Sequence, residues 1–421
     1  MPGPKIFLRS LFDKAVEVAD PMRSLHHALP PRPDGRLVVI GAGKASARMA
    51  EAVEAQYGPC EGLVITRYGY ARPCAGIEIV EAAHPVPDAA GMAATGRMLE
   101  LLQGLGEKDQ VLALISGGAS SLLVLPAGQT TLTQMQAINA ALLASGMPIS
   151  QMNIIRKHLS LVKGGQLAAA AYPARMLSLV ISDVPGDDPA LIGSGPTVGD
   201  ASTPQQARDY LEQYNIEIPP AIRDALKGPR HVIAPEDIRL SKVKNVIYAA
   251  AAQSLDAAAD MARDARMDVQ ILGDALEGEA RDVARYQAAI AMKVQADMPP
   301  GSAPVVILSG GELTVTRTGD GIGGPNAEFA LALALAFDGK PGIYAIACDT
   351  DGVDGAAEVA GAVIGPNTLS KAKALSCDAT MALSRNDAHG FFDTLGDQVL
   401  TGPTLTNVND FRAILIQPPQ E

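Results

Sequence analysis

Residues 36–55 read RLVVIGAGKASARMAEAVEA, and this stretch decides the fold class. An apolar run (37–40) breaks at Gly41-Ala42-Gly43 and passes into a segment with helical spacing. A strand, a glycine turn and a helix in this order are typical of a dinucleotide-binding α/β fold. The turn also carries Lys44, where a nicotinamide site usually has a small or neutral side chain. The stretch therefore fits either an NADP enzyme or an ATP enzyme.

Apolar runs that end in glycine or polar turns recur along the chain, and segments with helical spacing lie between them at 91–104, 253–267 and 276–295. Strands that alternate with helices predict a mainly parallel sheet covered by helices on both faces. In such sheets, ligands bind beyond the carboxyl ends of the strands. The nine predicted strands lie in RLVVIGAG, GLVITRYG, VLALISGG, LSLVISDV, NVIYAAAA, DVQILGD, PVVILSGG, GIYAIACDTDG and RAILIQ.

The length of 421 residues exceeds what one hydrophobic core usually serves, so we expect two domains. In residues 215–245, prolines and charged residues replace the rhythm of strands and helices, and a new strand, helix and strand unit then begins. We predict an N-terminal domain, residues 1–240, and a smaller C-terminal domain, residues 241–421. The predicted fold class is α/β, with a Rossmann-like α/β/α sandwich followed by a smaller α/β domain.

The composition excludes several classes of partner. A net charge of −12 argues against binding to nucleic acid or to an anionic membrane, because such surfaces need clustered Lys and Arg. No apolar run approaches the roughly 20 residues of a membrane helix, and the N-terminus does not resemble a signal peptide. The four cysteines show no metal or CxxC spacing, which is typical of a reducing compartment. We expect a cytoplasmic protein.

A loop rich in glycine and serine, SGGASS (116–121), follows one predicted strand and precedes a predicted helix. Glycines let the backbone approach an anion, and free N–H groups and hydroxyls can then bind it. The loop predicts a pocket for a carboxylate or phosphate, and a tight turn with serine caps is the structural alternative. The predicted substrate-binding residues of this loop are Ser116, Gly117, Gly118, Ser120 and Ser121.

The segment NIIRKHLSLVKGGQLA concentrates positive charge in an acidic protein. If it is helical, Arg156 and Lys163 are seven residues apart and share a face, whereas Lys157 lies on another face and is solvated. We therefore predict that Arg156 and Lys163 bind an anionic substrate. His158 is expected to be structural.

The loop SDVPGDDPALIGSGPT follows another predicted strand and carries Asp183, Asp187 and Asp188. Carboxylates at the end of a strand can hold Mg²⁺, which takes one or two carboxylates and completes its shell with phosphates and water. One of them could also orient an attacking hydroxyl group, as in other phosphoryl transfers. Turn and helix-cap aspartates are the structural alternative.

The second half of the chain offers a further glycine-rich loop, GDGIGG, which leads into a predicted helix at Pro325-Asn326. The N–H groups of a helix start can bind nucleotide phosphates. The segment DTDGVD (349–354) has the appearance of a calcium loop, but the glutamate that an EF-hand needs at position 12 is Ala360 here. We therefore exclude the EF-hand interpretation.

Taken together, these loops resemble the glycerate 2-kinases with a C-terminal MOFRL domain, and the similarity spans residues 36–416. The resemblance implies ATP-dependent phosphorylation of D-glycerate to 2-phosphoglycerate with Mg²⁺, in a cleft between two α/β domains. It also implies a hydroxyacid and a nucleotide as ligands, and we expect a homodimer. The motifs that carry it are GAGKAS, HPVPDAAG, SGGASSLL, NIIRKHLSLVKGGQLA, SDVPGDDPALIGSGPT, LSGGELTV, GGPNAEFALALA, DTDGVDGAAEVAGAV and TGPTLTNVNDFRAILI.

The resemblance gives each loop a role. It implies that Lys44 serves the transferring phosphoryl group beside the carboxylates of Asp187 and Asp188. Where the family commonly has GRGGRNQE, this chain has GIGGPNAE, so that Ile322 and Pro325 replace two arginines; Arg317, Arg156 or Lys163 could compensate. The predicted metal ligands are Asp183 and Asp187, and the predicted nucleotide-binding residues are Gly41, Gly43, Gly310, Gly311, Glu312, Gly324, Asn326 and Asp351.

Two alternatives stay open. An NADPH-dependent hydroxypyruvate reductase would use the glycine turn and Arg67, which follows the next strand and could bind a 2′-phosphate. Against it, Ser46 stands at the third glycine position, Lys44 crowds the turn, and Glu61 precedes the strand whose end should carry the ribose-binding residue. A non-catalytic protein that binds a small anion is the second alternative, although the acidic loop would repel an anion without a metal.

Overall fold

The apolar run before Lys44 forms a fully buried strand at the centre of a six-stranded sheet. The computed structural model describes residues 3–229 and 231–419. The strands of this first sheet are β1 (Leu37–Ala42), β2 (Glu61–Arg67), β3 (Ile77–Ala82), β4 (Gln110–Ile115), β5 (Arg175–Ile181) and β6 (Val243–Ala249). Their order is β3-β2-β1-β4-β5-β6, and β3, β2, β1, β4 and β5 pair in parallel. The carboxyl ends of β1 and β4 therefore lie side by side.

Helices connect these strands, as the alternating pattern predicted. They are α1 (Pro4–Ala19), α2 (Pro21–Ser24), α3 (Ser46–Tyr57), α4 (Ala89–Leu101), α5 (Ala119–Leu122), α6 (Leu132–Ala144), α7 (Ile149–His158), α8 (Gln166–Ala170), α9 (Pro204–Gln213) and α10 (Pro220–Lys227). Helices α6, α7, α9 and α10 enclose a separate apolar cluster that contains Met135, Ile155 and Leu211. This cluster fixes α6 and α7 against each other.

The second sheet is largely antiparallel, so the expectation of mainly parallel pairing is wrong for this half of the chain. Its order is β13-β12-β11-β14-β9-β7, and of these neighbours β7 and β9 alone pair in parallel. The strands follow one another here through loops as well as helices, and a loop can reverse the chain direction. The strands are β7 (Asp268–Ile271), β9 (Val305–Gly311), β11 (Ile343–Asp349), β12 (Gly361–Ile364), β13 (Gln398–Val399) and β14 (Asp410–Ile416), and β8 (Gly278–Glu279) pairs with β10 (Leu313–Thr314) outside this sheet.

Apolar layers cover both faces of the second sheet. One cluster joins Phe7, Leu11 and Phe12 of α1 to Leu255 and to strand residues such as Val306. The other includes Phe329, Leu331 and Phe392. The helices of this half are α11 (Ala251–Asp264), α12 (Ala280–Asp297), α13 (Pro325–Phe337), α14 (Thr368–Ala374), α15 (Ala379–Ser384) and α16 (Ala388–Leu395).

Two compact units result. The N-terminal unit comprises Pro21–Ser182 and Asp187–Tyr248. The C-terminal unit comprises the residues from Ala249 onward together with Asp183–Gly186 and the first helix, up to Asp20. The predicted domain boundary between residues 240 and 241 stays a prediction.

The nine strands predicted from the sequence are all present, and the α/β fold class is confirmed. Strand β3 was missed because its sequence, IEIVEA, carries two glutamates, and β12 was missed because its sequence, GAVI, continues a segment rich in glycine and alanine. Within residues 3–229 and 231–419, every helix is too short or too polar to span a lipid bilayer.

Candidate active site

The two glycine turns at the carboxyl ends of β1 and β4 are bonded to each other. The amide of Lys44 donates to the carbonyl of Gly117 at 2.8 Å, and the amide of Ala45 donates to Oγ of Ser116 at 3.0 Å. A Cβ atom on Gly43 (φ 140°) would lie 2.1 Å from this Oγ, so the contact requires glycine. Ser116 is fully buried and links the two turns. These amides are therefore not free to bind a pyrophosphate.

The side chain of Lys44 lies beside the next glycine of the second turn. A Cβ atom on Gly118 (φ 83°) would lie 3.4 Å from Cγ of Lys44 and 2.9 Å from the ring of His84. Lys44 is half-buried, in agreement with a position at the rim of this turn. The structure thus brings Lys44 next to the SGGASS loop, as the sequence suggested.

A cavity of ≈360 Å³ opens beside this loop in the N-terminal unit. Four of the predicted substrate-binding side chains line it: Ser120, Ser121, Arg156 and Lys163. Gly118 lines it as well, whereas Ser116 and Gly117 do not. Ser120 exchanges a hydrogen bond of 2.8 Å with Ser194, and Ser121 donates to the carbonyl of Gly118. The loop therefore presents half-buried hydroxyl groups at the cavity wall.

Two cations face this cavity without an acidic neighbour. Lys163 is 4% exposed, and its Nζ donates to the carbonyl of Leu123 at 2.6 Å. Burial, and then the nearby Arg156, lower the pKa of Lys163 to about 7. Arg156 donates its Nε to Asn139 at 3.1 Å, and burial lowers the pKa of its guanidinium. No carboxylate in the described part of the N-terminal unit pairs with either cation.

Arg156 and Lys163 line the same cavity, but not for the reason predicted from the sequence, a shared helical face. Helix α7 ends at His158, so Lys163 does not share a helical face with Arg156. Lys157 was expected to be solvated, yet it is buried and pairs with Asp200 at 2.7 Å. His158 is also buried and contacts Ser202 at 3.1 Å. Arg156 and Lys163 converge because the chain turns after the helix.

Sequence reasoning missed several residues that shape the cavity. Gln136 donates from Nε2 to the carbonyl of Pro87 at 2.7 Å and so ties the loop after β3 to helix α6. Asn139, one turn further along α6, orients Arg156. His84 lies on the same loop and lines the cavity. The motif HPVP (84–87) could have indicated this loop. Because strand β3 was not predicted, however, the motif could not be placed at the end of a strand.

The acidic loop has an unusual backbone. Asp187 adopts a left-handed conformation (φ 54°), which is uncommon for a residue other than glycine and costs energy. Asp188 is exposed, and its Oδ1 accepts from the amide of Ala190 at 2.9 Å. In the C-terminal unit, Asn409 donates to the carbonyl of Asp183 at 3.1 Å, and Asn407 donates to its carboxylate at 3.4 Å. Among the described residues, no group of three or more His, Cys, Asp or Glu could hold a metal ion.

A side chain of the protein caps the N-terminus of helix α13, which the sequence had predicted to bind phosphate. The amide of Asn326 donates to Oδ1 of Asp354 at 2.9 Å, and that of Ala327 donates to Oδ2 at 2.8 Å. His389 approaches the same carboxylate at 3.0 Å. The first N–H groups of this helix are therefore occupied, and Gly324 lies at the N-cap close to Asp354. A nucleotide-binding role for Gly324 and Asn326 stays a prediction.

A buried network connects other residues of the predicted nucleotide set. The Nδ2 of Asn326 donates to Asp410 at 2.6 Å, and Arg412, which is fully buried, donates to Asp410 at 2.9 Å and to the carbonyl of Gly310. Burial raises the pKa of Asp410 to about 6. Gly311 ends strand β9, Glu312 after it is exposed, and Asp351 is buried and accepts from the amide of Val353.

The family described as Domain of unknown function (DUF4147) matches residues 7–227, and the MOFRL family matches residues 305–410. The D-glycerate 2-kinase of Thermotoga maritima is 38% identical over 94% of this chain and 94% of its own length. A crystal structure of glycerate kinase from the same organism superposes with a TM-score of 0.90 at 36% identity, covering 98% of this chain and 99% of the other. This chain belongs to the glycerate 2-kinase family with a C-terminal MOFRL domain.

Another member of the glycerate 2-kinase family has a different name. A protein of Agrobacterium vitis, 51% identical over 97% of this chain and 94% of its own, bears the provisional name hydroxypyruvate reductase. The reaction therefore has to be argued from the site.

This member of the glycerate 2-kinase family departs from the common pattern at Ile322, in the loop before α13, and at Pro325, the first residue of that helix. Ile322 is 61% exposed, and Arg317, one candidate to compensate, folds back onto the carbonyls of Gly319 and Gly321. A second cavity, of ≈670 Å³, lies in the C-terminal unit between Gln295, Tyr344 and Gln417. It is larger than the cavity beside Ser120, but it contains none of the predicted site residues. Volume alone therefore does not identify the active site.

Proposed function

We propose that this protein is an ATP-dependent kinase that converts D-glycerate to 2-phosphoglycerate with the assistance of Mg²⁺. The observation that carries the proposal is the pair of cations, Arg156 and Lys163, that face one cavity without a carboxylate partner among residues 3–229 and 231–419. Burying positive charge is costly unless a counter-ion arrives. In a chain of net charge −12, such a site favours an anionic ligand.

The acid's carboxylate would bind Arg156 and Lys163, with hydroxyl groups from Ser120 and Ser121 completing its hydrogen bonds. Arg156 already has its Nε fixed by Asn139, so its terminal nitrogens are oriented before the ligand binds. An anion close to Lys163 would favour the protonated amine. The carboxylate and its two cations would then neutralise one another inside a largely apolar cavity.

Lys44 is the residue that we propose for the transferring phosphoryl group. Its Cγ lies near Gly118, which is also part of the cavity wall. A hydroxyl group of an acid held in the cavity would therefore lie close to this cation. Phosphoryl transfer is accelerated mainly by positioning and by neutralising charge, which suits a lysine at this place. Asp187 and Asp188 are proposed to orient the attacking hydroxyl group and to accept its proton late.

The donor chemistry of the chain fits Mg-ATP. Mg²⁺ takes one or two carboxylates, and the two predicted ligands of the acidic loop, Asp183 and Asp187, would supply them. Bound Mg-ATP would supply the phosphoryl group, with its charge partly offset by the metal. Gly310, Gly311, Glu312 and Asp351 stay the predicted nucleotide contacts, and the location of the site between two domains stays a prediction. A cytoplasmic location and a homodimer also stay predictions.

The hydroxypyruvate reductase is the competing hypothesis. It requires free amides at the first glycine turn, but those of Lys44 and Ala45 donate to the neighbouring turn. An NADPH enzyme needs a cation at the carboxyl end of β2 for the 2′-phosphate, and Arg67 does end this strand, with its guanidinium 4.6 Å from the centre of the Tyr70 ring. The occupied amides of the first glycine turn are the observation that favours the kinase.

One assay separates the two reactions. Purified protein is incubated with D-glycerate and Mg-ATP, and in parallel with hydroxypyruvate and NADPH. We expect ADP release in the first mixture, loss of this activity with EDTA and its return with Mg²⁺, and ³¹P NMR should show phosphate on the 2-hydroxyl. Oxidation of NADPH in the second mixture, without ADP release in the first, would replace the kinase with a reductase.

A further inference from the structure

The cavity beside Ser120 and Ser121 is larger than glycerate requires. Its volume is ≈360 Å³. A three-carbon hydroxy acid has about seven non-hydrogen atoms and would take at most roughly 200 Å³, even with the share of liquid volume that a water molecule has. Small-molecule sites usually bury most of their ligand's surface and leave little space. Glycerate alone would therefore leave part of this cavity empty or filled with water.

The wall around the proposed carboxylate position is apolar. Met135, Asn139 and Leu143 are spaced four residues apart on helix α6 and so lie along one of its faces, and all three line the cavity. Asn139 holds Arg156. The polar contact that anchors the acid is thus flanked on the same helix by two apolar side chains.

The mouth of the cavity exposes large apolar groups. Leu143 is 65% exposed and Val86 is 58% exposed, whereas Met135 and Val124 deeper in the wall are buried. The hydrogen bond from Gln136 to Pro87 fixes the loop that carries Val86 to the helix that carries Leu143. Single exposed apolar residues are common on protein surfaces. Here they continue the wall of a site that has buried cations, so a ligand with an apolar tail would cover them.

We propose that this cavity binds 2-hydroxy acids of about four to six carbons in total, whose chain beyond the hydroxyl-bearing carbon is apolar, and that it binds them more tightly than a three-carbon acid. The carboxylate lies against Arg156 and Lys163, the hydroxyl group points toward Gly118 and Lys44, and the chain packs on Met135, Val124 and Leu143. The inference rests on the proposed function for naming the cavity as the acceptor site, but the binding itself can be measured without ATP.

A homologous series of ligands tests this directly. Calorimetry at constant pH would compare D-lactate, D-2-hydroxybutyrate and D-2-hydroxypentanoate, which differ by one methylene at each step. Burying a methylene should lower the dissociation constant about fourfold. We therefore expect D-2-hydroxypentanoate to bind about tenfold or more tightly than D-lactate, and to compete with D-glycerate, which ³¹P NMR would show as reduced formation of 2-phosphoglycerate.

A matched pair of variants tests where the apolar chain of the ligand binds. Leu143→Ser removes an apolar side chain from the cavity wall at a position that is already exposed, so folding should be unaffected. It should reduce the gain per methylene to less than about twofold. Ile149→Ser makes the same kind of change at a residue that is 55% exposed and does not line the cavity. This control should keep the fourfold gain.

The outcomes separate the inference from the proposed function. Glycerate-dependent ADP release with equal dissociation constants along the series would overturn the inference and leave the kinase intact. Chain-dependent binding that Leu143→Ser abolishes, without any ADP release, would support the inference and remove the kinase. Competition of adenosine with D-2-hydroxypentanoate would assign the cavity to the nucleotide, and the inference would fail.

Discussion

The ammonium group of Lys163 donates to the main-chain oxygen of Leu123 at 2.6 Å, inside a site where burial lowers the pKa of this lysine to about 7. The carbonyl satisfies one of three N–H donors and does not offset the charge. The buried charge of Lys163 therefore lowers the stability of the ligand-free protein, and a bound anion would offset this loss.

Lys163→Met should make the ligand-free protein more stable at neutral and acidic pH. Because the pKa of Lys163 is lower in the folded chain than in the unfolded chain, where it is about 10.4, burial of the charge opposes folding fully below pH 7. This cost fades as the pH rises toward 10. We expect a gain in the free energy of unfolding on the order of 3 kcal/mol at pH 6, and a small one at pH 10. Urea unfolding at both pH values measures it.

Lys227→Met, at an exposed position in the same unit, is the control and should change stability by less than about 0.5 kcal/mol. A gain for Lys163→Met that is equal at pH 6 and pH 10 would contradict the account.

Binding of the acid should weaken as Lys163 loses its proton. The carboxylate binds the charged amine, so KM for the acid should rise above pH 7 by up to about tenfold per pH unit. The rise should level off at the pH where Lys163 also loses its proton in the complex with the acid. In Lys163→Met, KM should be higher at pH 6 and should change little between pH 6 and pH 9. A rise of the same steepness in the variant would assign the titration to another group.

Lys44→Ala should reduce kcat by at least about a hundredfold with little change in stability. The side chain is half-buried and contributes no core packing, while its charge is proposed to neutralise the moving phosphoryl group. Lys227→Ala serves as the matched control and should keep the kcat of the unchanged protein. ADP release under saturating substrates, together with thermal unfolding, measures both quantities. Undiminished turnover of Lys44→Ala would remove this lysine from the mechanism.

Gly43→Ala should disrupt the bond between the two glycine turns. Its Cβ atom would lie 2.1 Å from Oγ of Ser116, so one turn must move, and we expect a loss of more than about 2 kcal/mol in stability together with most activity. Gly58→Ala is a strict control, because Gly58 also has a positive φ (75°) but has no atom within 4 Å of the new Cβ. It should cost about 1 kcal/mol and leave kcat unchanged. Equal effects would mean that backbone strain, not the contact, matters.

Asp354→Ala should destabilise the C-terminal unit by about 3 kcal/mol or more, because the amides of Asn326 and Ala327 would be left buried without a partner. Asp378 caps α15 in the same way but at an exposed position, accepting from Thr380 and Met381. Asp378→Ala should therefore cost only about 1 kcal/mol. Chemical unfolding followed by circular dichroism compares the two. A loss no larger for Asp354→Ala than for Asp378→Ala would show that burial adds nothing.

The sequence predicted those features that depend on residues adjacent in the chain. Apolar runs located nine strands, and the glycine and serine composition of 116–121 indicated a turn after the fourth strand, whose anion binding stays a prediction. Arg156 and Lys163 were selected for their charge, which was informative even though the helical spacing used to join them was not.

Contacts set by tertiary packing were not predictable. Asn139 orients Arg156 from a different helix, and Asp354 accepts from the amide of Asn326, which lies 28 residues earlier in the chain. The direction of the second sheet was also missed, because apolar runs of equal length fit parallel and antiparallel strands alike.

Helix α1 packs on α11 and on the sheet that contains β14, so the side chains that cover its apolar face come from distant parts of the sequence. On the ribosome, Phe7, Leu11 and Phe12 emerge long before Leu255 and Phe411, the side chains that cover them. During synthesis this amphipathic segment stays exposed to chaperones and to other nascent chains until Phe411 has been made. Strand β14 therefore completes the cover of α1, and ribosome stalling before residue 410 should leave this helix accessible to a protease.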